Sequence, residues 1–173
     1  MAELARVTSH ISGDFFTQTF RITGRIGVGN SGLVGMLNDI TNSLMKFDDV
    51  YLSLINQPGK MVAHYHNAHI TKAAFEIALL QNRDDLGPEV ALHGTDRRLR
   101  EFTVLILTDT FEIEGIIKQV GRFDAVAILA PGTGETIAVY EAKLTTIAHP
   151  ELQYTGDGVL VNRKAITLVS EKG

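Results

Sequence analysis

The sequence predicts an all-β protein built as two small barrels in tandem, with a short helix inserted in the first half, and three observations carry that expectation. A motif, T-x-T-F-x-I-x-G-x-I, spans residues 17–26 and returns at residues 108–117; each copy of such a unit must bury its apolar face alone or against the other. Inside the motif Phe20, Ile22 and Ile26 alternate with Arg21, Thr23 and Arg25, and Phe111 and Ile113 alternate with Glu112 and Glu114. That period of two marks an antiparallel strand with one buried face. A glycine stands at the same point of both copies, Gly24 and Gly115, where a small sheet curls through a bend or bulge.

Further along, Lys46-Phe47-Asp48-Asp49-Val50 is answered by Arg122-Phe123-Asp124-Ala125-Val126, and Ala68-His69-Ile70-Thr71 by Ala142-Lys143-Leu144-Thr145. The offset falls from 91 to 76 to 74, which places an insertion in the first half, within residues 27–45. In that insertion Gly29-Asn30-Ser31-Gly32 offers start signals, and Leu33, Met36, Leu37 and Ile40 recur at helical spacing, so a short helix is expected there. Further strands are expected over residues 50–56, 60–66, 125–130 and 136–141, with turns at 57–59 and 131–134. Residues 73–81 suit a helix by propensity and a strand by alternation; their place in the repeat favours a strand. Residues 82–100 are polar, contain Gly87-Pro88, and read as the connection between a first repeat at 1–92 and a second at 97–173. A last hairpin turns at 155–158 and leads into strands over 159–161 and 165–169.

Composition narrows the function classes. A chain of 173 residues with 45% apolar content can fill a core. Its apolar runs fall short of the roughly 18 residues of a membrane helix, and its start lacks the pattern of a signal peptide. Without cysteine there is no disulfide and no thiolate ligand or nucleophile, so cytoplasmic residence is the default expectation. The net charge of -4 is spread over both halves and lowers the expectation of a nucleic-acid face.

Several residue groups invite a chemical reading. Gly27-Val28-Gly29-Asn30-Ser31-Gly32 matches G-x-G-x-x-G, which cradles a pyrophosphate when it joins a parallel strand to a helix. Here the preceding strand alternates and recurs in a half without the loop, so a lead into the helix is the better account. His64, His66 and His69 form H-x-H-x-x-H; on a strand His64 and His66 share a face and could meet one metal ion, whereas His69 has the other parity. A solvated polar strand is the competing account. Asp48, Asp49 and Asp124 beside Phe47 and Phe123 read as turn caps rather than paired catalytic carboxylates. Arg97, Arg98 and Arg100 could hold a phosphate or an acidic partner, and Arg21 with Arg25 puts two guanidinium groups on one strand face. Glu112 and Glu114 replace Arg21 and Thr23 in the second copy, so the two faces could attract each other. No nucleophile, base and orienting group occur at an interpretable spacing, and no enzyme activity or cofactor is expected.

The second half resembles an Sm-like barrel, the curled sheet of the Sm and Hfq proteins, a pattern shared in part with SH3-like barrels. Residues 111–117 are similar to the strand carrying that family's hydrophobic-x-G, residues 121–129 to its central strand, and residues 137–147 to its closing strands. The resemblance implies a tandem Sm-like pair and the RNA binding known for the family. The uridine-binding Tyr-Lys-His element of Hfq-type proteins is replaced by Tyr140-Glu141-Ala142, with Tyr65-His66-Asn67 in the first copy, which removes the lysine. The expectation is therefore a non-enzymatic binding or scaffold module that self-associates as a homo-oligomer, with RNA binding and a metal-dependent role at His64 and His66 as alternatives. Its expected ligand or partner surface comprises Arg21, Arg25, Tyr65, Arg97, Arg98, Arg100, Tyr140 and Lys143.

Overall fold

The repeated motif is a turn held by its first threonine. Thr17 Oγ1 accepts the amides of Thr19 and Phe20 at 3.2 and 2.9 Å, and Thr108 Oγ1 accepts those of Thr110 and Phe111 at the same two distances. A threonine hydroxyl that takes two backbone donors in this way fixes the turn locally, and the phenylalanine that follows starts a strand. The structure is a computed structural model and describes residues 9–95, 98–130 and 134–173.

The first turn joins β1 (Ser9–Phe16) to β2 (Phe20–Val28); α1 (Gly32–Asn38), β3 (Leu44–Leu54), β4 (Gln57–Thr71), a 3-10 turn (Lys72–Ala74) and β5 (Ile77–Leu80) follow. A second 3-10 turn (Arg83–Leu86) and α2 (Glu89–His93) form the connection. The same order then recurs: β6 (Leu99–Thr108), β7 (Phe111–Val120), α3 (Ala125–Leu129), β8 (Thr136–Thr146), β9 (Gln153–Asn162), a 3-10 turn (Arg163–Ala165) and β10 (Ile166–Glu171). The protein is all-β, with the ten strands of the described residues in one sheet of order β10-β6-β7-β8-β9-β5-β1-β2-β3-β4. Every pairing is antiparallel.

Two cores lie on opposite sides of the β5–β9 ribbon. Phe15, Leu33, Phe47 and Leu80 belong to one, Phe16, Ile77, Phe111 and Val161 to the other. All four residues of β5 are buried, because Ile77 and Leu79 face the second core while Ala78 and Leu80 face the first.

The repeated glycine does mark a bulge. Pairing shifts between Thr23 and Arg25 against β3, and between Glu114 and Ile116 against β8. The extra residues there include Asp49 and Glu141, which have φ of 54° and 49° and are the non-glycine residues at positive φ among the described residues. A Cβ on Gly115 would lie 2.5 Å from Val139 Cγ1 and 2.9 Å from the Tyr140 carbonyl, and one on Gly24 would lie 3.2 Å from Phe47 Cδ1. The bulged backbone thus sits against the glycine in both halves.

Several expectations are corrected. Residues 46–50 lie in β3 and residues 68–71 in β4, but residues 122–126 form a turn and the start of α3, and residues 142–145 lie in β8; neither pair of segments is equivalent. The true counterparts keep an offset of 91 or 92 throughout, Phe20 with Phe111, Asp49 with Glu141 and Thr71 with Asn162. The expected helix forms, but α3 answers it in the second half, so α1 is no insertion. Of the expected strand over 125–130, residues 125–129 are helical instead, because Asp124 accepts the Ala127 amide as N-cap and is itself bracketed by Gln119. Residues 57–59 start β4 instead of turning, residues 155–158 run straight through β9, and residues 99–100 begin β6. Of residues 73–81, the first two close a 3-10 turn and only 77–80 are strand. Among the three aspartates read as caps, Asp124 caps, whereas Asp48 and Asp49 are strand residues at the bulge. Arg97 and most of the turn at 131–134 lie outside the described residues. Among the described residues no helix is long and apolar enough to cross a membrane.

Candidate functional site

Two surface regions gather the residues with chemical potential. The first is the outer ribbon of β3 and β4. The left-handed backbone of Asp49 turns its carboxylate toward His64 Nε2, 2.7 Å away. Tyr51 stacks on the His64 ring with centroids 4.4 Å apart, and His66 stands edge-on to His64 at 5.9 Å. His64 and His66 thus share a face as their spacing predicts. His69 sits opposite Lys46 in a register unbroken from His64 to Thr71, which leaves it on the other face. Among the described residues no three His, Cys, Asp or Glu side chains converge as a metal site. Around this group Tyr51, Met61, Val62 and Tyr65 are exposed, so β4 presents aromatic, apolar and imidazole groups along a sheet edge that is unpaired among the described residues.

The second region is the connection between the halves. Arg83 forms two hydrogen bonds to Asp157 on β9, Nε to Oδ2 at 2.9 Å and Nη2 to Oδ1 at 2.7 Å, and lies 3.6 Å from Glu141. Hydrogen bonding from Arg83 holds the Asp157 carboxyl below its ordinary range, and hydrogen bonding to Asp157 raises the guanidinium. The Tyr140 ring is 3% exposed and lies between two cations, Arg83 at 5.0 Å and Lys118 at 4.8 Å. Its hydroxyl meets His93 Nε2 at 2.5 Å; burial pushes the phenol to about 12 and depresses the imidazole. An open cleft of about 450 Å³ runs from Tyr140 past Arg83 and Asp84 to Asn30 and Gly32. The G-x-G-x-x-G loop borders this cleft, but Gly32 serves packing: its φ is +68° and a Cβ would lie 2.4 Å from Gly87 Cα.

The expected surface therefore divides. Arg21 makes a two-point contact with Asp14, which also takes the Thr23 hydroxyl, and lies over Tyr154 at 5.2 Å. Glu114 meets Lys172 at 2.8 Å. Each is ion-paired within its own half, Arg21 with Asp14 and Glu114 with Lys172, so the expected attraction between a basic and an acidic face is not how they are engaged. Arg25, Tyr65, Arg100 and Lys143 are exposed but do not converge, and Arg98 is engaged just before β6. Tyr140 is corrected from surface to interior, because its side chain fills the space under Arg83 and Lys118.

Sequence reasoning missed Arg83, Asp157, Tyr51 and Glu76. The Glu76 carboxylate is buried where the halves meet and accepts hydroxyls of Thr108 and Thr110, each at 3.1 Å. Burial raises its pKa and the two threonines partly oppose that. The signal for Glu76 was available, an acid inside the apolar run Phe75 to Leu80; Arg83 and Asp157 sit in polar segments where nothing in the sequence singles them out. No family model, curated protein or solved structure matches the chain.

Proposed function

We propose that this protein is a non-enzymatic binding or scaffold module, a pair of Sm-like small barrels that self-associates and docks partners along its β3–β4 ribbon. The single observation that supports this most is β4. It runs fifteen residues as the last strand of the sheet, exposed over most of its length, with Met61, Val62 and Tyr65 in the open. Proteins blunt such edges with charge, proline or a covering loop; Pro58 and Lys60 do so only at the start of β4, and from Met61 to Thr71 the edge, unpaired among the described residues, invites pairing with another chain. Arg83, Arg21 and Glu76, by contrast, are already engaged: Arg83 with Asp157, Arg21 with Asp14, and Glu76 with two threonine hydroxyls.

A second reading, RNA binding, draws support from the Tyr51–His64 stack. An exposed aromatic pair is a platform on which an unpaired base can stack. Against it stand the acidic charge and Glu141 in place of the family's lysine. One experiment separates the two: native mass of the purified protein with and without a mixed single-stranded RNA pool, at low and moderate salt. The scaffold reading expects a discrete oligomer unchanged by RNA. Uptake of RNA that reverses as salt rises would replace it with the RNA reading, and a monomer at all concentrations would remove self-association.

A further inference from the structure

We infer that the cleft between the turns of the two halves is a binding site for a small neutral polyol, of monosaccharide size, and that the Thr146 hydroxyl is one of the groups that hold it. The cleft has a volume of about 350 Å³, at the small end of the roughly 300–1,000 Å³ of ligand clefts. Each half lends it the same two turns. The first half supplies Gln18 and Thr19 from the β1–β2 turn and Asn56 from the β3–β4 turn; the second supplies Asp109 and Thr110 from the β6–β7 turn and Thr146 from the end of β8. The two pairs of turns are tied alike. Ile55 donates its amide to the Thr19 carbonyl at 3.0 Å, and Ile147 donates to that of Thr110 at 2.9 Å.

Thr146 is what makes this cleft unlike the others. Phe20 pairs with Leu54 and Phe111 with Thr146, so Leu54 and Thr146 hold the same place in their halves. The place is half-buried where it holds leucine and 3% exposed where it holds threonine. Packing alone would put the polar residue at the more open of the two. Thr146 continues the buried face of β8 after Ala142 and Leu144. Among the described residues its Oγ1 is the one buried side-chain nitrogen or oxygen without a hydrogen-bond partner. A buried hydroxyl left unpaired costs stability, and one in the wall of a cleft is explained by what enters the cleft. Oγ1 is covered in this structure; a rotation of about 120° about χ1, from one staggered well to another, is what turns it to a ligand.

The other groups around the cleft select uncharged hydroxyls. Among the described residues no lysine or arginine lines it, and the His149 imidazole already meets Glu151 at 3.5 Å. A phosphate or carboxylate ligand would lack a counter-charge and would face Asp109. The carboxamides of Gln18 and Asn56 and the hydroxyls of Thr19 and Thr110 both donate and accept, as the hydroxyls of a polyol do. Thr110 is held in place for this. Its Oγ1 donates to Glu76 at 3.1 Å, and the Gln18 side chain also hydrogen-bonds to that carboxylate. With its proton committed, the Thr110 oxygen is left to accept from a ligand hydroxyl. Ile55, 5% exposed, gives the cleft an apolar floor against which C–H groups rest. No aromatic ring lines the cleft among the described residues, so ring stacking adds nothing and the affinity is millimolar.

The site uses neither end strand of the sheet, so its test is separate from that of self-association. The full chain is titrated with myo-inositol, D-glucose and methyl α-D-glucoside, with inorganic phosphate as the charged control, and amide chemical shifts are followed by NMR. The expected result is saturable shifts at tens of millimolar polyol, confined to residues 17–19, 55–56, 109–110 and 146–149, and none with phosphate. The glycoside stands for the end of a glycan: if it binds as glucose does, a glycan end is an admissible source, and if glucose alone binds, the source is a free sugar. Thr146→Val exchanges the hydroxyl for a methyl of the same size. It is expected to raise the melting temperature by about 2–4 °C and to weaken binding roughly threefold to tenfold. Asn56→Ala, at an exposed turn that does not threaten folding, is expected to weaken it by a similar factor. Three results overturn the inference: no saturable shift with any of the polyols, phosphate moving the same amides more strongly than they do, or both variants binding as the wild type does.

Discussion

The two halves share a bulge but not what the bulge supports. In the first, Asp49 at φ 54° carries its carboxylate to an exposed His64; in the second, Glu141 at φ 49° stands near Arg83, beside the clamp that joins the halves. Beneath the bulge Gly24 has 3.2 Å to the ring of Phe47, a side chain, whereas Gly115 has 2.9 Å to a backbone carbonyl. The strands beyond differ similarly: β9 ends in a buried run, Gly158 to Asn162, while β4 is largely exposed. Backbone geometry is what the halves keep in common, and each uses its side chains according to whether a neighbour covers it.

The sharpest way to break the comparison is to fill the two glycines. Gly115→Ala puts a methyl where both a valine methyl and a fixed carbonyl stand, and a loss of about 2–4 kcal/mol is expected from overpacking that a backbone cannot relieve. Gly24→Ala asks only that an aromatic ring yield a few tenths of an ångström, and the reduced freedom of the unfolded chain offsets part of that. Its expected change is within about 1 kcal/mol of zero. Urea denaturation of both variants measures the difference, and equal losses would show that the bulges are not the asymmetric pair their contacts indicate.

Next in size is the junction. Arg83→Ala removes a two-point contact to Asp157 on a partly solvated surface, for an expected loss of about 1 kcal/mol once screening is allowed for. Glu76 adds a pH dependence. Its pKa is raised in the folded chain, first by burial, so the folded state binds its proton more tightly than the unfolded state does. The associated stability is present in full below the unfolded value and is lost as pH rises through the folded one. Glu76→Gln removes that loss. Melting temperatures followed upward from pH 4 are expected to fall for the wild type relative to the variant and then run parallel, and curves parallel throughout would show that Glu76 does not titrate in that window.

The part of this organisation legible in the sequence is the part written in side chains. Thr17 and Thr108 accept the same amides, Phe20 and Phe111 enter the two cores, and those letters repeat. The bulge residues Asp49 and Glu141 share a backbone conformation and no name, whereas Phe47-Asp48 and Phe123-Asp124 share letters and no structure, the first lying in β3 and the second leading into α3. Gly156 and Gly158 read as a turn because glycine signals turns, yet both lie inside β9 where Leu79 and Leu86 press against the backbone. The strand β1 was not legible, since Ser12, Gly13 and Asp14 break its alternation. On the ribbon, His64 and His66 were found by their spacing, but Tyr51 joins them only through the register of β3 on β4.

The smallest expected effects return to the bulge. A residue at positive φ costs a side chain roughly 1 kcal/mol or more that glycine does not pay, and aspartate tolerates that region better than glutamate. Glu141→Gly is therefore expected to stabilise by up to about 1 kcal/mol, less whatever the 3.6 Å contact with Arg83 supplies. Asp49→Gly is expected to gain less, because aspartate starts nearer to comfort there and because the substitution gives up the 2.7 Å contact with His64. If Asp49→Gly instead leaves stability unchanged while weakening self-association, the bulge is aiming a side chain rather than only curving the sheet. The ribbon would then act through Asp49 and His64 together, and not through its apolar edge alone.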